Sequence, residues 1–325
     1  GLLRMSIKKT ANLCALLAAL AVFGNASAER IRIGVTNYNL TYLSAGVALK
    51  RGFFKAEGID AEIIRMTPDV SVMAITGGDI DYSMLFGLVV RSAVRGLPVR
   101  VVANFMDSSP LALIARPQFK SVKELKGKTL GVSTFGATPE IAARMVFKQA
   151  GIDPEKELKV IALRTDDARM AALKEGIVDV IVIAPPADVE MRKLGFNVVA
   201  RVDEVFKFPY VGLGTNVRKI KDRPDEVKRT VKAMIRANRY IRENREGAIQ
   251  VLNEWGGTRL EHAAATYDSS WKVFNPDGTI SEEGLRLVVE QAKREMKIAR
   301  EISLDEVSDF SALRAAQSEL GLKTR

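Results

Sequence analysis

Lys128-Thr129-Leu130-Gly131-Val132-Ser133-Thr134-Phe135-Gly136-Ala137-Thr138-Pro139-Glu140 reads as a buried strand, a loop of small residues and the first turn of a helix. Thr138 suits the N-cap position and Pro139 the first helical position. Ile141, Met145, Val146 and Ala150 then recur at helical spacing and stop at Gly151. Such a helix points its free N–H groups and the positive end of its dipole at loop 133–137, which makes the loop receptive to a carboxylate, sulfonate or phosphate. Taken alone, the stretch also fits an ordinary strand-to-helix turn of an α/β protein.

The pattern occurs twice. Ile31-Arg32-Ile33-Gly34-Val35-Thr36-Asn37 repeats the strand and turn, and each copy runs through a helix to Gly-Ile-Asp, at 58–60 and at 151–153. A further strand and helix lead to a second aspartate marker, Gly78-Asp79-Ile80-Asp81-Tyr82 in one copy and Gly176-Ile177-Val178-Asp179-Val180 in the other. Gly34 to Asp81 spans 47 positions and Gly131 to Asp179 spans 48. Two α/β units of one layout predict two facing lobes, with a cleft at the carboxyl ends of their strands, where open sheets bind ligands.

A length of 325 residues exceeds the usual single domain, and 47% hydrophobic with 27% charged residues describe a globular chain with a sizeable core. Residues 1–28 carry Arg4, Lys8 and Lys9, an apolar run over 13–23 and Ala26-Ser27-Ala28. That is the pattern of a secretory leader cleaved after Ala28, its apolar run short for a membrane span. Cys14 is the single cysteine, and Leu13 before it is not the small residue that lipid attachment needs. The exported chain therefore lacks cysteine, which excludes thiolate zinc sites, catalytic thiols and iron–sulfur clusters. Three basic residues leave with the leader, so the formal charge falls from +10 to about +7. The remaining lysines and arginines alternate with glutamates over 221–245 and 282–301, the look of solvated helix faces rather than of a nucleic-acid surface.

Strand 30–35 opens into a loop bearing Asn37, Tyr38 and Tyr42. Aromatic faces with polar tips at a strand's carboxyl end suit a small-molecule pocket or the packing of its rim. Phe53 and Phe54 read as core plugs. After strand 81–85, Phe86 and Gly87 open a helix at the cleft edge, and the Val-rich strand 98–105 suits a buried parallel position. Asp107-Ser108-Ser109-Pro110 makes a first crossing between lobes, and Pro209-Tyr210-Val211-Gly212-Leu213-Gly214 a second. The first lobe thus comprises 29–110 and 209–325, and the second 111–208.

Within the second lobe Ser121 and Glu124 make a capping-box start. The organising stretch follows, with Ser133, Thr134, Phe135 and Thr138, then strand 158–162, Arg164, and strand 178–184 ending in Pro185-Pro186. Arg164 can meet an anion through its guanidinium fork or pair with Asp166 or Asp167 on the rim. Helices are expected over 224–244, 247–255, 259–271, 282–300 and 309–320, packed on the first lobe.

Gly52-Phe53-Phe54-Lys55-Ala56-Glu57-Gly58-Ile59-Asp60, the marker at 78–82, Leu125-Lys126-Gly127-Lys128-Thr129-Leu130-Gly131-Val132 and Leu173-Lys174-Glu175-Gly176-Ile177-Val178-Asp179 together resemble periplasmic substrate-binding proteins of ABC transporters. The nearest group is the sulfonate, nitrate and thiamine-precursor-like family, and the resemblance covers nearly all of 31–320. It implies a two-lobed type II periplasmic-binding fold, each lobe a mixed, mostly parallel sheet flanked by helices. It also implies a monomer without cofactor or metal that closes on a small organic ligand, an anion among the candidates, and delivers it to a membrane permease. Carried over residue by residue, the pocket loops correspond to Asn37, Tyr38 and Tyr42, to Phe86 and Gly87, to Ser108 and Ser109 at the hinge, to Ser133, Thr134, Phe135 and Thr138, and to Pro185 and Tyr210. The first loop has no Arg or Lys.

Two other classes share this fold. Thiamine pyrimidine synthases are similar to the family but rely on a cysteine cluster and a histidine, whereas His262, the one histidine here, falls in the helical C-terminal part. One histidine also speaks against a metal site or a serine triad. A ligand-sensing module of a signalling system is the third reading.

Overall fold

A computed structural model describes residues 28–135 and 138–323; the leader reading thus lies, Ala28 apart, outside the described residues, as do Gly136 and Ala137. The duplicated sequence becomes two five-stranded mixed sheets. In the first, β1 (Glu29–Val35) pairs in parallel with β2 (Ile59–Arg65) and β3 (Tyr82–Ser83), while β4 (Val99–Met106) lies at the far edge. The second contains β5 (Ala112–Ala115), β6 (Thr129–Val132), β7 (Lys159–Ala162), β8 (Val180–Ile183) and β9 (Asn197–Arg201). The orders are β2-β1-β3-β10-β4 and β7-β6-β8-β5-β9, with β10 being Val211–Asn216. Both sheets therefore have one antiparallel strand, β10 or β5, in the fourth place, and in each it is the first strand after a crossing.

The repeated residues do the same work in both lobes. A Cβ on Gly34 would lie 2.9 Å from Ile80 Cδ1, and one on Gly131 would lie 3.1 Å from Ile181 Cγ2, so the inner strand needs glycine where side chains cross it. Asp81 Oδ2 accepts the Arg32 N–H at 2.7 Å, and Asp179 Oδ2 accepts the Thr129 N–H at 3.0 Å, two residues before each glycine. Asp81 also pairs with Lys219 at 2.7 Å and Asp179 with Arg116 at 3.6 Å, a cation just beyond the antiparallel strand in each case.

Both faces of the second sheet are covered, which accounts for the unbroken apolar run of β8. Leu113, Leu130, Val180 and Val182 point into one cluster, while Ile114, Ile181 and Ile183 point into the other. The C-terminal helices pack on the first lobe. Val227, Val231, Met234, Ile235 and Ile241 of helix Pro224–Glu243 join Ile31, Ile33 and Phe105 in its main core, where Phe54 is also buried.

Some expectations change. Helix Glu282–Met296 stops short of residue 300, because Lys297 takes a left-handed φ of 55° and Ile298 donates its N–H back to Lys293 O while its side chain returns to the core. Ser121 forms no capping box: its side chain accepts no backbone N–H, and its Oγ donates to Glu124 instead. Thr138 is the first helical residue rather than the cap of helix Thr138–Gln149.

Candidate functional site

The two crossings run side by side. Ser108 Oγ donates to Phe206 O at 3.0 Å, Tyr210 N to Met106 O at 3.0 Å, and Val202 N to Leu111 O at 3.0 Å. Asp107 at their root accepts the Asn104 and Asn275 side-chain amides on one oxygen, at 2.9 and 2.6 Å, and burial pushes its carboxyl above the ordinary range.

On one side of this hinge the lobes touch. Helix Phe86–Val94 of the first lobe brings Gly87 against Thr138 of the second, whose Oγ1 is 3.0 Å from where a Gly87 Cβ would stand. Beside that contact lies an apolar groove of about 500 Å³, counting the open space at its mouth, lined among others by Ile141, Met145, Phe208, Leu287 and Val288. Helix Glu282–Met296 forms its wall and packs on both lobes, through Leu285 and Val289 on the first and Leu287 on the second. The Arg91–Glu295 ion pair at 2.7 Å borders it. Helix Ala187–Lys193 packs against helix Leu260–Ser270 in a further contact between the lobes.

A polar cluster meets the crossings from both lobes. Tyr42, 8% exposed, accepts a hydrogen bond from Thr36 Oγ1 at 3.0 Å, and burial raises its phenol. Tyr210 touches both cores; burial, then the nearby Tyr42 hydroxyl, push its phenol far up, against the opposing pull of a Ser109 hydrogen bond and of Arg169. In the second lobe Thr165 caps helix Asp166–Lys174 by accepting the Ala168 N–H at 3.2 Å. Arg169 leans back over that first turn, as helical side chains do, donating to the Asp166 carboxylate and to Arg164 O. Burial lowers the Arg169 guanidinium and raises the Asp166 carboxyl, each partly offset by the other.

The residues singled out from sequence divide accordingly. Gly87, Thr138, Tyr42, Ser109 and Tyr210 gather at the hinge and the contact between lobes. Ser108 lies there too, its hydroxyl spent on the opposite crossing. Ser133, Thr134 and Phe135 follow β6, with Phe135 59% exposed, and Pro185 is buried two residues beyond the end of β8. Asn37 is exposed. Tyr38 turns away: its hydroxyl donates to Ile63 O at 3.0 Å and its ring lies 5.1 Å from that of Trp255, both within the first lobe. Phe86 is corrected from a pocket residue to a core residue; it is 0% exposed, and its ring packs where Gly212 leaves room on β10. Arg164 is exposed and makes no ion pair with Asp166 or Asp167 among the described residues; Arg169 holds Asp166 instead. Arg169 went unread in the sequence, although an arginine three residues after the acidic first turn of a capped helix was its signal.

Among the described residues no group of histidine, cysteine and carboxylates could hold a metal ion, and no helix is long and apolar enough to cross a membrane. The family profile described as NMT1/THI5 like matches residues 40–248, which includes both crossings and the whole second sheet. The chain belongs to the NMT1/THI5-like family. Within the wider set of relatives, this NMT1/THI5-like chain is 23% identical over 221 residues to YtlA of Bacillus subtilis (strain 168), an alignment covering 65% of the chain and 66% of YtlA. Its fold is similar to that of a sulfonate ABC transporter's periplasmic sulfonate-binding protein SsuA from Methylobacillus flagellatus KT, with TM-score 0.74, 17% identity, and coverage of 91% and 96% of the two chains. It is similar also to the periplasmic nitrate-binding protein NrtA from Synechocystis PCC 6803, with TM-score 0.73, 15% identity, and coverage of 90% and 89%. The desulfurization enzyme DSZB shares the fold at TM-score 0.65. At these identities the likeness establishes the type II two-lobed fold.

Proposed function

We propose that this protein is the extracytoplasmic solute-binding component of an ABC import system, which captures a small organic ligand between its lobes and presents the closed form to a permease. The observation that carries the reading is the meeting of Gly87 and Thr138 beside a groove and a buried polar cluster contributed by both lobes. A site split between two bodies on paired crossings opens and closes by hinge motion, and ligand bound in the gap favours the closed form. The leader pattern at 1–28 supports export, and the sulfonate- and nitrate-binding neighbours support a small anion as cargo.

An enzyme on this fold is the competing reading, favoured by the likeness to DSZB. Against it, residues 29–325 contain no cysteine, and the one histidine, His262, is buried in helix Leu260–Ser270. A thermal-shift screen of the mature protein against organic acids, sulfonates, aromatic acids and pyrimidines separates the two, with mass spectrometry of what is recovered. Solute binding predicts a raised melting temperature and unchanged ligand; conversion of the ligand would establish the enzyme.

A further inference from the structure

We propose, resting on the solute-binding reading, that Arg169 is the residue that selects the ligand's charge, holding the carboxylate, sulfonate or phosphonate head of an organic anion, with Asp166 as its stand-in counter-ion when no ligand is bound. Arg169 is 5% exposed and lies on the second lobe's side of the cluster formed with Tyr210 and Ser109. Its donors are not all spent. Nη2 serves the Asp166 carboxylate and Nη1 the Arg164 carbonyl at 3.3 Å, while Nε–H has no hydrogen-bond partner among the described residues. A buried guanidinium offers five N–H donors in a fork that matches an oxyanion, and an unused one is costly unless something comes to fill it.

The surroundings define the ligand further. Asp166 leaves Arg169 close to neutral as a pair, so an incoming anion must share the guanidinium with a resident carboxylate. Tyr210, whose hydroxyl is close enough to act electrostatically on Arg169, makes an edge contact with Phe208 at 6.1 Å, and Phe208 is a wall of the apolar groove. A head at Arg169 therefore leaves an alkyl or aryl body within reach of Phe208 and the groove. An anion with an apolar body fits better than a small inorganic oxyanion.

The test is calorimetry of the full mature protein with matched probes: aryl and alkyl carboxylates, sulfonates and phosphonates, each beside its neutral amide or sulfonamide. The expected result is binding of the anions and not of the amides, with Arg169→Gln weakening the best anion by about 30-fold or more and Arg169→Lys by less. Asp166→Asn should tighten the same anion by about threefold or more, because the competing carboxylate is gone; a purely structural ion pair would not produce that gain. The Asp166→Asn arm decides the matter if Arg169→Gln does not fold. Equal affinity for an anion and its amide, or an anion bound within threefold by Arg169→Gln, or no gain in Asp166→Asn, would overturn the role of Arg169 and leave solute binding standing. A wild-type protein that binds no probe, charged or neutral, would contradict the solute-binding reading itself.

Discussion

Thr138 and Gly87 stand on opposite lobes with the Thr138 Oγ1 only 3.0 Å from the position of an absent Gly87 Cβ. Each belongs to the first turn of a helix that follows an inner strand of its sheet, so this contact is where the two halves of the duplicated scaffold meet. Glycine at 87 permits the approach; any longer side chain would stand between the lobes.

Gly87→Leu is therefore expected to hold the lobes apart. Ligand affinity should fall by about tenfold or more, since a closed state that is less populated taxes binding in proportion. Stability should change little, because leucine is the better helix former and position 87 borders a groove. Small-angle scattering should report a larger radius of gyration than for the wild type, and an unchanged radius with unchanged affinity would remove this contact from the closing mechanism.

On the proposed reading Ser133 and Thr138 belong to the second lobe's face of the site. Ser133→Arg combined with Thr138→Arg should leave far-UV circular dichroism intact and abolish ligand binding in calorimetry. Retained affinity would exclude the loop.

The twin aspartates each tie a strand N–H and a cation to their sheet. Asp81→Ala and Asp179→Ala each remove a charge-assisted acceptor from a strand N–H and the partner of a cation, and each should cost about 1.5–3 kcal/mol in urea unfolding. Affinity measured where both variants are folded should stay near wild type.

Asp107 makes a pH prediction. Burial raises its folded pKa above the unfolded value of 3.8, despite the lowering influence of Asn275, so the folded state holds the proton more tightly. The stability this proton confers is complete below about 3.8 and is lost as pH rises through the folded value. Asp107→Asn keeps the oxygen that Asn104 and Asn275 donate to and carries no charge. Its melting temperature relative to wild type should therefore be higher at pH 7 than at pH 3.5; the opposite trend would show that the ionised carboxylate stabilises the hinge.

The duplicated layout was legible because its markers act locally, within a strand and its immediate neighbours. Gly34 and Gly131 sit where side chains cross the sheet, and Asp81 and Asp179 pin the strand two residues upstream. The strand character of 211–216 was hidden because Gly212 and Gly214 resemble turn residues. Their reason is tertiary: Cβ atoms there would lie 2.3 Å from Ala103 O and 2.6 Å from Val89, under helix Phe86–Val94. β9 was missed as a short, half-buried edge strand without alternation. The place of Phe86 after a strand puts it at the cleft edge and the family resemblance in the pocket, yet the same Gly212 that looks like a turn makes room for its ring in the core. Arg169 escaped notice because its neighbours at the cleft come from a crossing some 40 residues away, and nothing within its own helix points to Tyr210.

The most direct measurement is a crystal structure of the mature protein with the tightest anion from the probe panel. The account predicts ligand density enclosed between the lobes, its head within hydrogen-bond distance of Arg169 and its body against Phe208 beside the Gly87–Thr138 contact. Density on an outer face of either lobe, with the space between them empty, would contradict it.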